Sequence, residues 1–255
     1  ERRVYADRAE FMGDMDFVPV PIDTLISDEY ANSRWQSVDS ISASKSTEIA
    51  HGDIPFNYRE SEETTHFSVV DRWGNVFSAT PSDGIGTTPI VPGLGFILSH
   101  RGSQTWLESD HPCVLEPGKR PRLTPNPAIA FRDGKPWMPF GTPGGDVQCQ
   151  SMVQVLLNVV EFGMDAQQAI EAPRFSTWSF PNSFWPHAYN PGLVGIESRV
   201  EQETLRELER RGHRIELWED WSGQSGNVCA IEIDHRSPIL RAGADPRREA
   251  YAIAR

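Results

Sequence analysis

The chain has 255 residues and a formal net charge of -12, from 36 acidic against 24 basic residues. This negative charge repels phosphate backbones and anionic lipid surfaces, so the composition argues against nucleic acid and membrane partners. No apolar run reaches the roughly 20 residues that a bilayer-spanning helix needs.

The three cysteines, Cys113, Cys149 and Cys229, lie far apart and form no CxxC pair. Their spacing predicts neither a zinc site nor a disulfide framework, and no motif calls for a metal or another cofactor. Isolated cysteines favour a reducing, cytoplasmic compartment and leave a periplasmic one open. Because the sequence begins at Glu1 without an initiator methionine, we expect a fragment or a processed product.

Residues 1–63 have the character of a connector. They are polar, interrupted by prolines, and predict one short helix over Thr24–Arg34. From Thr65 onward the pattern changes, because residues 66–71 and 76–80 alternate and flank a turn, which predicts a β-hairpin. The sequence therefore predicts a connector over 1–63 and a second unit over 64–255.

The rest of the chain combines strands, loops and helices. Glycine and proline dominate residues 83–127, which predicts loops around one short strand over Gly95–Leu98. The other predicted elements are a hairpin (128–131 with 137–140), helices (147–160, one capped by Asp165, and 200–211) and strands (214–217, 227–233 and 239–242). This order predicts an α+β fold with helices layered on an antiparallel sheet.

Two local patterns could carry chemistry. Thr64-Thr65-His66 stands where the connector meets the first strand, but threonine is common there because β-branched residues fit strands. A histidine inside a strand more often packs than catalyses. Gly144-Gly145 precedes an amphipathic helix, whose N-terminal N–H groups could stabilise an oxyanion, although a tight turn explains the pair equally well. Each pattern alone leaves a structural role open.

Together, these motifs and others resemble one family, the gamma-glutamyltransferases. The stretch that begins at Thr64 resembles the start of the family's small subunit, and the first residues of the chain resemble the end of its large subunit. The matching motifs are YADRA at 5–9, GD at 13–14, TTHFSVVD at 64–71, GN at 74–75, KRP at 119–121, PGG at 143–145 and ADPRR at 244–248. The resemblance spans essentially the whole chain.

The resemblance implies a fold and a partner. The fold is that of an N-terminal-nucleophile hydrolase, a four-layer αββα sandwich that is incomplete without the N-terminal portion of the large subunit. Residues 1–63 would be the end of the large subunit, and residues 64–255 the small, catalytic one. Sheet edges that pair with the missing portion would be exposed, so a large-subunit partner is expected. A homodimer of such heterodimers is compatible with this arrangement.

The resemblance also implies a reaction. Thr64 would attack the carbonyl of Glu63, cut the chain there, and use its freed α-amino group as the base for its own hydroxyl. The backbone N–H groups of Gly144 and Gly145 would hold the oxyanion that forms when Thr64 attacks an amide substrate. By position, Ser82 stands where the family has a threonine that orients the nucleophile.

The positions that hold glutamate in the family's transpeptidases differ here. Gly84 stands at an asparagine, Ser103 at an aspartate, and Leu123 and Thr124 at a pair of serines. A buried ammonium group without a carboxylate partner costs on the order of several kcal/mol, so a γ-glutamyl substrate is not favoured. The pattern resembles that of the hydrolytic relatives, such as oxamate amidohydrolases and cephalosporin-acylase-like enzymes.

Side chains at or near the positions that differ from the family are candidates for substrate binding. Arg101 could pair with a substrate carboxylate, although a solvated loop position explains Arg101 at least as well. Ser103 and Thr124 are candidates because they stand at the family's substrate-binding positions. The sequence thus predicts an autoprocessing hydrolase that cleaves a small amide through an acyl-enzyme on Thr64. Two alternatives stay open, a true γ-glutamyl transferase or glutathione hydrolase, and an uncleaved, inactive relative that acts as a binding module.

Overall fold

The structure, a computed structural model, describes residues 1–43, 64–84, 88–237 and 239–254. The helices of these residues are α1 (Arg2–Phe11), α2 (Ile22–Leu25), α3 (Asp28–Gln36), α4 (Val147–Val160), α5 (Ala166–Glu171) and α6 (Gln202–Arg210). The strands are β1 (Phe67–Val70), β2 (Val76–Ala79), β3 (Ala128–Arg132), β4 (Lys135–Gly141), β5 (Phe175–Thr177), β6 (Leu193–Glu197), β7 (Arg214–Trp218), β8 (Cys229–Asp234) and β9 (Ile239–Ala244). None of these helices has the length and apolar character needed to cross a bilayer.

The strands form a hairpin and two larger sheets. The hairpin β1–β2 is antiparallel, with Phe67 opposite Ala79, which confirms the first predicted hairpin. A four-stranded antiparallel sheet has the order β3-β4-β8-β9, and a three-stranded sheet has the order β5-β6-β7. The four-stranded sheet is antiparallel, as predicted, whereas strands β6 and β7 of the three-stranded sheet run parallel. The reason is helix α6, which lies between the two strands in sequence and forms a crossover connection.

Helices α4 and α5 cover one face of the four-stranded sheet. Apolar side chains of α4 repeat at helical spacing, and Val155 packs with Met138 of β4 and Ile170 of α5 in a buried core. Helix α5 begins with a capping box, in which the Asp165 side chain accepts a hydrogen bond from the Gln168 N–H. The predicted helices after Gly145 and at Asp165 are therefore confirmed.

The hairpin β1–β2 lies against the other face of this sheet. Phe140 of β4 joins the core beneath α4, whereas the next residue, Gly141, meets the ring of His66. Successive residues of a strand point to opposite faces, so the hairpin and the helices lie on opposite sides of the sheet. The Ser78 hydroxyl donates to the Phe140 carbonyl at 3.4 Å and links the two β layers. The described residues thus provide one helical layer and two β layers of a sandwich.

Residues 1–43 hold more regular structure than the one short helix that the sequence predicts. Residues 1–43 contain three helices, and the Asp14 carboxylate accepts hydrogen bonds from the Arg120 backbone and guanidinium at 2.8 and 2.5 Å. Helix α1 was not predicted because it is polar around most of its circumference and offers no apolar stripe. The helix predicted over Thr24–Arg34 is split at Ser27, which caps α3 by accepting from the Tyr30 N–H. Residues 44–63 lie outside the described residues.

One strand prediction is wrong, and two strands of the structure were not predicted. The segment Gly95–Leu98 is not a strand, and within it only Ile97 forms an isolated bridge, to Ile90. Strands β5 and β6 were missed because β5 has only three residues and β6 contains Gly195. Gly195 is required by packing, since a side chain there would overlap the indole of Trp218.

Candidate active site

Thr64 and Ser82 face each other just beyond the hairpin β1–β2. They form an isolated antiparallel bridge that keeps the register of Phe67 opposite Ala79. The Oγ1 atom of Thr64 is hydrogen-bonded to the Oγ atom of Ser82, and each residue is only 7% exposed. A buried hydroxyl pair at the start of a strand is a geometry in which one hydroxyl can orient the other. The structure therefore brings together the first two predicted site residues.

Arg101 lies on the other side of Ser82. Its guanidinium donates to the Ser82 carbonyl and, through Nη1, to Thr124 Oγ1 and Gln104 Oε1 at 3.2 Å each. Both Arg101 and Thr124 are buried, so Arg101 is not a solvated loop residue. Its Nε atom is 3.9 Å from the carboxylate of Asp83, which partly balances the charge. Ser82, Arg101 and Thr124 thus form one hydrogen-bonded group beside Thr64.

Ser103 occupies the same 3-10 turn as Arg101, over Arg101–Gln104, and its hydrogen bonds go to other partners. Its hydroxyl donates to the His100 carbonyl at 2.8 Å, and its carbonyl accepts from the Trp185 N–H at 2.7 Å. Among the described residues, no hydrogen bond joins Ser103 to Thr64 or Ser82. The structure therefore brings Ser103 into the same loop but not into contact with the hydroxyl pair.

Gly144 and Gly145 form the turn between β4 and α4. Their φ angles are 124° and 52°, in the region that favours glycine. In the part of the chain that the structure describes, the Gly145 N–H has no hydrogen-bond partner. Two residues before Gly144, the Thr142 hydroxyl oxygen accepts from the Asn227 N–H at 2.6 Å, which anchors the end of β4 to the segment that leads into β8. The turn is therefore built as a helix N-terminus with an N–H group available for an anion.

His66 lies between the Thr64 end of the hairpin and the end of β4. Its Nδ1 and Nε2 atoms are each 2.9 Å from a hydroxyl oxygen, on Thr80 and Ser68. Burial lowers the pKa of His66 to about 4, so the ring is neutral near pH 7. The ring packs against Gly141 and bridges two hydroxyl groups, which agrees with its predicted packing role.

Sequence reasoning gave no role to Asp146, the residue after Gly145. Its side chain is 3% exposed and binds Arg8 and Ser183. The available signal was its position directly after the glycine pair at a helix start. For the described ranges, no group of three His, Cys, Asp or Glu side chains has the arrangement of a metal site.

Comparisons with known proteins identify the family of this chain. A sequence model of the family described as Gamma-glutamyltranspeptidase matches residues 1–255. The glutathione hydrolase proenzyme of Bacillus subtilis (strain 168) is 33% identical over 267 residues, which cover 98% of this chain and 42% of that protein. The chain therefore spans less than half the length of this relative.

Solved structures show the same similarity in three dimensions. The structure described as LmbA2991HD matches with a TM-score of 0.85 and 40% identity, covering 98% of this chain and 46% of that one. Cephalosporin acylase from Bacillus halodurans matches with a TM-score of 0.70 and 25% identity, covering 95% and 41%. These matches confirm the predicted N-terminal-nucleophile hydrolase fold, of which this chain holds a part. The chain belongs to the gamma-glutamyltranspeptidase family.

Proposed function

We propose that the chain is the C-terminal part of an autoprocessing amidohydrolase in which Thr64 is the nucleophile. The observation that carries this proposal is the buried hydrogen bond between the Thr64 and Ser82 hydroxyl groups. A nucleophilic hydroxyl needs a fixed direction of attack, and Ser82 supplies it from the paired chain segment. Glu63, whose peptide bond with Thr64 would be cut, lies outside the described residues.

The cut begins with the Thr64 hydroxyl. Its Oγ1 atom attacks the Glu63 carbonyl carbon, and the acyl group moves from the Thr64 nitrogen to the oxygen. Water then hydrolyses the ester, which leaves a carboxylate on Glu63 and a free α-amino group on Thr64. This divides the protein into a chain that ends at Glu63 and a chain that begins at Thr64.

The same hydroxyl then acts on the substrate. The α-amino group of Thr64, with an ordinary pKa of roughly 7.7 to 8.0, takes the hydroxyl proton as Oγ1 attacks the amide carbonyl. The N–H groups of Gly144 and Gly145 stabilise the oxyanion, and the proton passes to the departing amine. Water hydrolyses the acyl ester and restores Thr64. Each oxyanion donor of this kind typically contributes about 2.7 to 4 kcal/mol to the barrier reduction.

The substrate is held, in this proposal, by the group around Arg101. Thr124 Oγ1 accepts from Arg101, so the Thr124 hydroxyl proton is left to donate to a substrate oxygen. Arg101 places a positive charge one hydrogen bond from Ser82, which favours a substrate with a carboxylate or another electron-rich group near the scissile amide. The Ser103 hydroxyl donates to a backbone carbonyl, which leaves its lone pairs to accept from a substrate N–H group.

The second candidate is a true γ-glutamyl transferase or glutathione hydrolase. The name of the Bacillus subtilis relative, a glutathione hydrolase proenzyme, favours this candidate. The residues here argue against it, because Gly84, Ser103 and Leu123 provide no carboxylate for a glutamate ammonium group. Leu123 is also 54% exposed.

A large subunit, the N-terminal part of the same precursor, is the proposed partner. The hairpin β1–β2 exposes apolar side chains to the extent of 47% at Phe67, 50% at Val69 and 54% at Phe77. Such a surface on a two-stranded hairpin is typical of one that another element covers. The relative that this chain matches is a proenzyme of more than twice the matched length, which leaves sequence for such a subunit.

The masses of the polypeptides made from the full-length precursor test the nucleophile. We expect two chains, the smaller beginning at Thr64, and a single uncut chain for Thr64→Ala. Thr65→Ala is the matched control, because Thr65 is exposed and its neighbouring hydroxyl pair stays intact. A wild-type precursor that remains one folded chain would support the binding-module alternative and end this proposal.

The substrate is tested by turnover of a set of anilides on the cut enzyme. The set pairs a γ-glutamyl anilide with anilides of dicarboxylic acids that lack the ammonium group. We expect the latter to have the larger kcat/KM, because Ser103 stands at the position of the aspartate that holds the ammonium group in the family's transpeptidases. Efficient, saturable γ-glutamyl transfer would overturn this preference and favour the second candidate.

A further inference from the structure

Asp146 receives contacts from a distant part of the chain. Its Oδ1 atom accepts from Arg8 Nη1 at 2.5 Å and from the Ser183 hydroxyl at 2.7 Å, and its Oδ2 atom accepts from the Ser183 N–H at 2.7 Å. Its backbone carbonyl accepts from the Tyr5 hydroxyl at 2.6 Å. Although Asp146 stands at the N-cap of α4, its side chain caps no N–H group of that helix. Its carboxylate is therefore committed to Arg8 and Ser183.

Tyr5 and Arg8 are held in place for this contact. They are three residues apart on one face of α1. The Tyr5 ring stacks on Phe180 with a centroid distance of 3.6 Å, and the Arg8 guanidinium lies 4.3 Å from the Tyr5 centroid. Burial, and next the Asp146 carboxylate, raise the pKa of Tyr5, so its hydroxyl keeps the proton that it donates. Tyr5, Arg8 and Asp146 thus form a packed contact with a charge-assisted hydrogen bond, called the joint below.

The glycine pair before Asp146 needs an external support. Glycine has more backbone freedom than any other residue, so two in succession define the direction of their N–H groups poorly by themselves. The end of β4 fixes one side of the turn, through Thr142 and Asn227. The joint with α1 fixes the other side, because it holds both the side chain and the carbonyl of Asp146.

We propose that Tyr5 and Arg8 are positioning residues that hold the Gly144–Gly145 turn in its oxyanion-binding geometry through Asp146. The inference rests on the proposed function, in which this turn holds the oxyanion. Tyr5 and Arg8 both lie before the proposed cut in the chain. After cutting, the contact of Tyr5 and Arg8 with Asp146 joins two polypeptides, so the chain that lacks the nucleophile controls the oxyanion site of the chain that has it.

The test uses the cut, full-length protein and 4-nitrophenyl acetate, an activated acyl donor. Release of 4-nitrophenolate is measured with the Thr64→Ala rate subtracted, which isolates acylation of Thr64. Tyr5→Phe keeps the ring stacked on Phe180 and removes only the hydroxyl. Arg8→Met removes the charge, and Arg8→Lys restores it. We expect kcat to fall about 10- to 100-fold for Tyr5→Phe and Arg8→Met, because a misplaced donor stabilises the oxyanion less.

A positioning role predicts which kinetic constant changes. The oxyanion exists only in the transition state, so KM should stay within about threefold of the wild-type value. Arg8→Lys should recover part of kcat. The matched control is Arg34→Met, which removes an arginine from the same region that pairs with Asp7 at 2.8 Å and is not part of the joint. Arg34→Met should leave kcat unchanged.

The outcomes separate this inference from the proposed function. A wild-type protein that is uncut, or that shows no Thr64-dependent release, would remove the proposed function and the inference together. A reactive wild type whose kcat per folded, cut molecule is matched by Tyr5→Phe and Arg8→Met would overturn the inference alone. Should Arg8→Met fail to fold, Tyr5→Phe decides, because its ring packing is preserved and an unchanged kcat would overturn the inference.

Discussion

The imidazole ring of His66 fills the space directly beside the Cα atom of Gly141. A Cβ atom at Gly141 would overlap the Cε1 and Nδ1 atoms of the ring. The ring cannot move aside without losing its hydrogen bonds to Thr80 and Ser68. We therefore expect Gly141→Ala to lower the free energy of unfolding by about 1 to 3 kcal/mol, the usual cost of overpacking. Urea unfolding of the purified full-length protein measures this change.

Gly102→Ala is the control for this substitution. A Cβ atom at Gly102 would meet no heavy atom within 4 Å, and its φ angle lies outside the left-handed region. Its unfolding midpoint should stay close to that of the wild type. If both variants lost the same stability, overlap with His66 would not be the cause.

The lowered pKa of His66 predicts a dependence of stability on acidity. The pKa is about 4 in the folded protein, against about 6.5 for histidine in an unfolded chain. Above pH 6.5 the ring is neutral in both states and has no effect. Between pH 6.5 and 4 the unfolded chain binds a proton that the folded chain excludes, so the free energy of unfolding falls as pH falls. The loss attributable to His66 is at most about 3 kcal/mol.

His66→Gln isolates this contribution. Denaturant unfolding at pH 7 and pH 4.5 should show a smaller loss for the variant than for the wild type, since glutamine takes up no proton in this range. The His111 pKa is also lowered to about 4, mainly by burial, and this residue is present in both proteins. An identical acid dependence of the two proteins would show that His66 is not the responsible group.

The sequence predicts features that depend only on residues close together in the chain. The hairpin β1–β2 follows from alternation on both sides of the turn at Asp71, whose carboxylate accepts from the Trp73 and Asn75 N–H groups at 2.9 Å. The same register, continued outward by three residues, places Thr64 opposite Ser82. The central pair of the candidate site was thus within reach of local reasoning.

The joint between α1 and Asp146 was not within reach of such reasoning. Arg8 and Asp146 are 138 positions apart, and no local pattern links them. Helix α1 shows little apolar periodicity, because Tyr5 is the one residue that this helix buries. The role of Arg101 is similar, since a buried arginine and a solvated one look the same in a sequence rich in glycine and proline. Tertiary pairing decided both cases.

Removal of the Ser82 hydroxyl should slow both reactions of Thr64. We expect Ser82→Ala to reduce the rate of chain cutting and kcat by about 10- to 100-fold, since the Thr64 hydroxyl then loses its orienting partner. Ser82→Thr keeps a hydroxyl and should restore most of each rate. The measurements are the time course of precursor masses and turnover by the cut enzyme. Equal rates for Ser82→Ala and Ser82→Thr would remove the orienting role.

A buried group of four charges provides the last prediction. The side chains of Glu197, Asp245, Arg174 and Arg247 are each 0% exposed. Glu197 accepts from Arg247 at 2.5 and 2.8 Å and from the partly exposed Arg199 at 2.8 Å, and Asp245 pairs with Arg174 and Arg247. Burial is the main cause that lowers the pKa of Arg174 to about 10. For Arg247 burial acts in the same direction, but the hydrogen bond to Glu197 and the nearby carboxylates outweigh it and raise the pKa, so both arginines stay charged near pH 7.

Glu197→Gln should therefore leave one positive charge buried without compensation. The expected loss in the free energy of unfolding is about 3 to 5 kcal/mol, the usual result of removing one partner from a buried ion pair. Glu207→Gln is the matched control, because Glu207 also binds two arginines, Arg210 and Arg211, but its side chain is 38% exposed. Its loss should be much smaller because water replaces the lost contacts. Similar losses in the two variants would mean that burial does not set the strength of these pairs.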